Sequence, residues 1–149
     1  AQYPDQNTQI IRLGVVFGRK GGILPQMLLP IKMNLVKKIG HGRQPCVWVH
    51  IQDVIRAIEF LMLHDTAERI FNVVAPEKVS QNTFADTACL ILNKKPLFTL
   101  PAVVMKTVLG EQSQLILNGQ YVQPKALQDA GFEFNFPTLK QALEDLIIL

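Results

Sequence analysis

Short apolar runs alternate with segments of helical periodicity along the whole of this sequence. The runs are rich in β-branched and aromatic residues: QIIRLGVVF (9–17), CVWVH (46–50), IFNVVA (70–75) and LFTL (97–100). The first run lacks period-2 alternation, which is typical of a strand covered on both faces in a parallel sheet. Because strands that alternate with helices favour an α/β fold, we predict mostly parallel short strands, helices between them and a helical tail.

Proline and capping residues predict where the helices begin and end. Residues 23–38 are predicted to be a helix that Pro30 kinks or breaks, since proline lacks the N–H that an interior turn needs. Residues 38–45, KIGHGRQP, are predicted to be a loop. Later helices are predicted to begin at Ser80, which is a good N-cap residue, and at Pro101, which can open a helix. A further helix is predicted to begin at Thr138, which is in capping-box register with Gln141.

The composition is that of an ordinary globular protein. With 48% hydrophobic and 18% charged residues, the chain of 149 residues is neither disordered nor built to span a membrane. No apolar run approaches the roughly 20 residues that cross a bilayer, and the polar start lacks the layout of a signal peptide. Cys46 and Cys89 have no metal-like spacing, so we expect reduced thiols in a cytoplasmic protein.

Positive charge is concentrated at the start of the chain. Against the single acid Asp5, the first 43 residues carry seven bases: Arg12, Arg19, Lys20, Lys32, Lys37, Lys38 and Arg43. This bias favours an anionic partner such as a phosphate-bearing ligand, although a solvated basic face is equally consistent with it. No aromatic residues interleave with these charges and the pI is near 9.0, so we do not expect a nucleic-acid partner.

The segment GRKGG, Gly18–Gly22, follows a predicted strand and precedes a predicted helix. Flexible glycines at Gly18, Gly21 and Gly22, beside the charge of Arg19, could let backbone N–H groups approach an anion. The pattern is neither G-x-G-x-x-G nor G-x-x-x-x-G-K-[ST], so it is a poor nucleotide fingerprint. A plain strand-to-helix turn is the alternative.

The stretch WVHIQD places three conspicuous side chains at the entrance of an apolar helix. Trp48 and His50 are two residues apart on a predicted strand and therefore share a face, at the strand's C-terminal end. In open α/β sheets ligands bind at that edge, but a buried, hydrogen-bonded histidine would explain His50 equally well. Asp53 is predicted to be the N-cap of the helix.

No catalytic set is visible in the sequence. Tyr121 and Lys125 have the Tyr-x-x-x-Lys spacing of short-chain dehydrogenases, but Pro124 between them is expected to start a helix that leaves Tyr121 outside. The three histidines lack metal spacing, and no G-x-S-x-G elbow exists. We therefore predict neither catalytic nor metal-binding residues.

Read together, the segments resemble one family. RLGVVFGRKGGILPQMLLPIK, GHGRQ, WVHIQDVIRAIEFLM, FNVVAPEKVSQNTFA and GQYVQPKALQDAGFEFNFPTLKQALEDL are similar, in order, to the C-terminal half of atypical extended short-chain dehydrogenases. The branch is the sugar-nucleotide epimerase-like one, whose members are in places named cell-division inhibitor homologues. The resemblance implies two parts: residues 1–98 from the substrate side of the dehydrogenase, and residues 99–149 from the small C-terminal domain of unknown function.

The same resemblance implies a function and a missing part. The family's N-terminal half carries the dinucleotide loop and the catalytic Tyr-x-x-x-Lys, so NAD or NADP is expected for the longer parent and no cofactor for this chain. Substrate-side residues carried over by position are Gly18, Arg19, Gly21, Gly22, Arg43, Trp48 and His50. We expect a substrate-binding fragment of a nucleotide-sugar epimerase or reductase, incompetent alone. The alternative is a non-catalytic module that binds a protein or forms a homodimer.

Overall fold

The computed structural model describes residues 8–39, 42–96, 98–100 and 120–148. Its strands are β1 (Ile10–Leu13), β2 (Val15–Phe17), β3 (Val36–Ile39), β4 (Trp48–His50), β5 (Ile70–Val73) and β6 (Phe98–Leu100). Its helices are α1 (Leu24–Lys32), α2 (Ile51–Leu63), α3 (Gln81–Leu92), α4 (Lys125–Asp129) and α5 (Leu139–Ile148). Short strands therefore alternate with helices up to residue 100 and helices follow, as the sequence predicts.

The described strands pair in parallel, which confirms the predicted strand direction. β1 pairs with β5, β2 with β4, and β3 with β6. The run 9–17, predicted as one strand, is broken at Gly14 between β1 and β2. A Cβ atom at Gly14 would lie 3.0 Å from the carbonyl oxygen of Val47, a tighter contact than most side chains make, so glycine favours this close approach of the two backbones.

The prediction that the first strand is covered on both faces is wrong for β1. Ile11 packs against buried residues, whereas Ile10 and Leu13 remain 50% and 51% exposed. A continuous apolar run shows that side chains prefer burial, but it does not show which other parts of a fold cover them.

The predicted long helix over 23–38 is also wrong in its second half. Helix α1 continues for only two residues beyond Pro30, ends at Lys32, and gives way to β3. Asn34 adopts a left-handed conformation with φ 58°, and the N–H of Leu35 donates to the carbonyl of Pro30 at 3.0 Å. The strand partner of β3 is β6, about sixty residues later, and local sequence does not reveal such a distant partner.

Two clusters of buried side chains hold the described elements together. The first core joins α1, α3 and α5 around Phe17 and Trp48. The second core joins β4, β5, α2 and the α4 region around Val49 and Phe71. Residues from 120–148 enter both cores, through Leu139, Ala142, Leu143 and Leu146 in the first and Leu127 and Phe132 in the second. The domain boundary at 98/99 stays a prediction.

Two of the predicted helix starts are confirmed. The Ser80 hydroxyl accepts from the N–H of Thr83 at 3.2 Å. Thr138 donates its hydroxyl to Gln141 Oε1 at 2.7 Å and accepts weakly from the N–H of Gln141 at 3.5 Å. The helix predicted between Pro101 and Gly110 lies outside the described residues.

Both cysteines are free thiols buried in the first core. Burial raises the pKa of the Cys46 thiol to about 12, because the thiolate would lose its hydration there. None of the helices in the described ranges has the length and hydropathy of a membrane-spanning segment.

Candidate functional site

The predicted glycine loop and the WVH segment meet at one edge of the parallel strands. β2 and β4 run side by side, with Phe17 opposite His50 at their C-terminal ends. The Gly18–Gly22 loop leaves β2 at this edge, and α2 leaves β4 there. Because the C-terminal edge of parallel strands is where α/β folds bind ligands, this edge is the candidate site.

Within the Gly18–Gly22 loop, Gly22 has a backbone conformation that favours glycine. Gly22 has φ +75°, and a Cβ atom there would lie 3.3 Å from the carbonyl oxygen of Val16. Helix α1 follows without a side-chain cap from Ile23 and with Pro25 in its first turn. The first N–H groups of α1 therefore have no side-chain acceptor from the cap position, beside an exposed loop that carries Arg19 and Lys20.

His50 is the N-cap of α2. Its Nδ1 accepts from the N–H of Gln52 at 3.1 Å, so this nitrogen carries no proton. The proton of the neutral ring is consequently on Nε2, which lies 3.2 Å from Asp145 Oδ2 and donates to it. The ring also stacks on Phe136 with centroids 3.8 Å apart. His50 thus joins α2 to the C-terminal helix.

The prediction that Asp53 caps α2 is wrong. The helix starts at Ile51, so Asp53 lies in its first turn, and its fully buried carboxylate accepts from backbone N–H groups outside the helix. Oδ1 accepts from the N–H of Asn135 at 2.8 Å and Oδ2 from the N–H of Phe136 at 2.9 Å. Arg56 Nη1 lies 3.1 Å from Oδ1. Asp53 therefore anchors the segment that leads into α5.

Arg19 is held by the last turn of α5. Its Nη2 donates to the backbone carbonyl of Asp145 at 2.7 Å and lies 3.7 Å from Asp145 Oδ2. Carbonyls at the end of a helix lack intrahelical partners, and a cation is favoured beside them. Arg19 and His50, both predicted from the sequence, are thus brought together through Asp145, which was not.

Trp48 and Arg43 have different surroundings. Trp48 is 1% exposed and stacks on Phe17 with ring centroids 5.6 Å apart. Within the described part of the chain, its Nε1 has no hydrogen-bond partner.

Arg43 is exposed and lies between Gly42 and Gln44, whose carbonyls accept from the first N–H groups of α3. A role for either side chain in binding substrate stays a prediction.

Helix α4 begins after Pro124 and leaves Tyr121 outside, as the sequence predicts. Tyr121 is 49% exposed and precedes α4, whereas Lys125 is the first residue of that helix after Pro124. The two side chains therefore do not share a helix. Among the residues that the structure describes, no cluster of His, Cys, Asp and Glu could hold a metal ion.

Acid should destabilise the fold through His50. Desolvation lowers the pKa of His50 and Arg19 adds to this, while Asp145 and Asp53 partly oppose it. As the pH falls through about 6.5, His50 is therefore protonated in the unfolded chain before it is protonated in the folded chain. The free energy of unfolding consequently has its full value above that pH and decreases below it. The slope should reach at most about 1.4 kcal/mol per pH unit.

His50→Asn, which retains a good N-cap residue, should remove this part of the pH dependence. Urea unfolding of both proteins between about pH 7.5 and 5.5 measures it, since the window lies on either side of the ordinary histidine pKa. His64→Gln, which replaces an exposed histidine and leaves the contacts of His50 in place, is the matched control variant. An unchanged slope in His50→Asn would contradict the assignment.

Known proteins of one family are similar to this chain. Residues 100–146 match a domain of unknown function (DUF1731). An epimerase family protein of Staphylococcus aureus is 36% identical over 148 residues, which cover 98% of this chain and 49% of that protein. One of Staphylococcus epidermidis is 40% identical over 136 residues, covering 91% and 46%. The chain corresponds to the C-terminal portion of epimerase family proteins.

Solved structures agree with this family. The crystal structure of a human epimerase family protein with NADPH matches at TM-score 0.86 and 32% identity, over 96% of this chain and 50% of that chain. A UDP-glucose 4-epimerase of Thermotoga maritima, solved with UDP-glucose, matches at TM-score 0.64 and 19% identity, over 91% and 43%. That second likeness shows the fold alone. The chain spans about half the length of the curated epimerase family relatives that it matches.

Two acidic residues with long-range contacts, Asp145 and Glu77, were not predicted from the sequence. Asp145 lies inside the DUF1731 match and contacts Arg19 and His50, which lie outside it. Glu77 accepts from the N–H of Leu139 at 2.6 Å and so caps α5 from another part of the chain. Neither acid belongs to a local motif. Only their long-range contacts reveal what they do.

Proposed function

We propose that this chain supplies the substrate side of an NAD(P)-dependent epimerase or reductase that acts on a nucleotide-sugar-like anion in the cytoplasm. An N-terminal half, such as the relatives contain, would bring the cofactor and the catalytic tyrosine. By itself the chain is then catalytically incompetent. Its own residues do not fit a dinucleotide, because the sequence has no G-x-G-x-x-G loop.

One observation carries this proposal: the Gly18–Gly22 loop, Arg19 and His50 lie together at the C-terminal edge of β2 and β4. A glycine-rich loop with a cation, ahead of a helix that has no side-chain cap from Ile23, suits a phosphate, and it lies where parallel strands commonly meet ligands. The human relative solved with NADPH supports the cofactor of the parent protein. That the substrate is a nucleotide sugar is our own inference from the name of the epimerase family.

Arg43 is the second cation that we assign to the substrate. Its exposed side chain follows Gly42, whose φ of +75° and hydrogen bond to Asn82 fix the backbone at the start of α3. Charge-assisted hydrogen bonds to phosphate are the strong ones, so its loss should weaken binding about tenfold. The cell-division role associated with some members of the resembling branch is not needed for this proposal.

The test joins the chain to the N-terminal half of a relative and replaces the tryptophans of that half by phenylalanine. Titration with a UDP-sugar should then change the fluorescence of Trp48, which packs beside the loop through Phe17. Arg43→Ala should raise the Kd about tenfold. Arg69→Ala, at the opposite end of β5, removes the same charge and should leave the Kd unchanged. No change in fluorescence at saturating UDP-sugar would contradict the proposal.

A second candidate function is self-association without catalysis. Apolar side chains at Ile51, Ile55, Ile58 and Met62 form an exposed stripe along α2, and large exposed apolar surfaces mark interaction sites. If this function is the correct one, the chain alone should sediment as a concentration-dependent dimer, and no nucleotide sugar should affect it. A monomer at every concentration would contradict this candidate.

A further inference from the structure

The guanidinium of Arg19 is already occupied by the C-terminal helix. Nη2 donates to the backbone carbonyl of Asp145 and lies 3.7 Å from Asp145 Oδ2, just beyond hydrogen-bond distance. The side chain of Arg19 is nevertheless 41% exposed. A guanidinium has five N–H donors, so only part of its capacity is used by these contacts. Arg19 can therefore exchange partners without leaving a buried charge behind.

The carboxylate of Asp145 lies at the same strand edge as the proposed anion site. It accepts from His50 Nε2 at the C-terminal end of β4, while Arg19 belongs to the loop that leaves the adjacent β2. An anion bound by the Gly18–Gly22 loop would need the same guanidinium. Two negative groups that share one cation compete for it, because each is stabilised by its charge.

We propose that Asp145 is an internal competitor for the anion site: it holds Arg19 against α5 when no ligand is present and is displaced from Arg19 by a diphosphate. This inference rests on the proposed function, since it assumes that the loop binds an anion. It gives one residue of the domain of unknown function a defined effect on the substrate side. Asp145 weakens anion binding and restricts the site to ligands that bring further contacts to the loop.

The structure offers a closely matched pair of variants. Asp145→Asn keeps an oxygen for His50 and the backbone carbonyl for Arg19, but removes the charge. Glu144→Gln removes the same charge one residue away, where the carboxylate pairs with Lys140 on the helix surface at 3.7 Å. Any general effect of net charge is therefore the same in both variants. Only Asp145→Asn removes the carboxylate charge that competes for Arg19.

The experiment is a titration of the 149-residue chain with inorganic pyrophosphate, followed by the amide NMR resonances of Gly18, Gly21 and Gly22. In Asp145→Asn the Kd should fall about threefold, as expected for release of a half-exposed ion pair, and in Glu144→Gln it should stay at the wild-type value. Equal Kd values in wild type and Asp145→Asn, with clear loop shifts in both, would overturn the competitor and leave the anion site standing.

A second measurement uses only the wild-type chain and so does not depend on the variant folding. On addition of pyrophosphate, the side-chain carboxyl ¹³C resonance of Asp145 should shift while that of Glu144 does not. Loop shifts without any shift at Asp145 would overturn the competitor alone. No loop shift in any of the proteins would instead refute the anion site itself, and the competitor with it.

Discussion

Asp53→Ala should lower the free energy of unfolding by about 3 to 5 kcal/mol. The carboxylate has no exposed surface and accepts two backbone N–H groups, from Asn135 and Phe136. Truncation leaves both buried donors without their charged acceptor and releases Arg56, which also bonds the carbonyl of Glu133 at 2.9 Å. Urea unfolding at pH 8, where the His50 effect is absent, measures the loss.

The control for Asp53→Ala is Glu59→Ala, which removes an exposed acid from the same helix. Its effect should stay within about 0.5 kcal/mol. Asp53→Asn should fall between the two, because the amide oxygen can still accept one of the two N–H groups. A loss below about 1 kcal/mol in Asp53→Ala would show that the segment before α5 is held in place without this anchor.

Phe17→Ala should cost about 3 to 5 kcal/mol of stability, the range for truncating a buried aromatic residue. The ring has no exposed surface, stacks on Trp48, and lies 5.7 Å from Phe84 between ring centroids. Its removal leaves a cavity in the first core directly beneath the Gly18–Gly22 loop. Trp48 fluorescence should also change, because its stacking partner is gone. Urea unfolding followed by fluorescence and by circular dichroism measures both effects.

Phe134→Ala is the matched truncation at a half-buried site, where the ring meets Phe132 edge-on with centroids 5.0 Å apart. It should cost about 1 kcal/mol, since less surface is removed from contact and the site is open to water. Similar losses in the two variants would mean that Phe17 is not the packing centre that its burial indicates.

Polar contacts hold the C-terminal segment against the edge at which β2 and β4 end. Asp53, Glu77 and the Arg19–His50 pair each bind a different part of residues 135–145. Together they fix the segment that crosses the candidate site. For a domain of unknown function, this attachment is a structural role that the geometry supports directly, and the competition for Arg19 would add a functional one.

Much of the candidate site could be predicted because its signals are local. The Gly18–Gly22 loop, Arg19 and His50 are each marked by position at the end of an apolar run, and parallel pairing brings such ends together. Ser80 and Thr138 were also identifiable, since a cap acts on residues only three positions away. The same local reasoning failed at Asp53, because nothing in the neighbouring residues distinguishes a cap from an anchor for distant N–H groups.

The sequence by itself therefore determined the alternation of strands and helices, the helix starts at Ser80 and Thr138 and the loop with its charges, all of which depend on spacing within a few residues. Only the tertiary structure decided the strand at Val36–Ile39, the break at Gly14 and the roles of Asp53, Glu77 and Asp145. Each of these depends on a partner at least 33 residues away, and for Asp145 and Arg19 the separation is 126 residues. Such a contact forms because the packed cores bring its two parts together, and local periodicity carries no record of it.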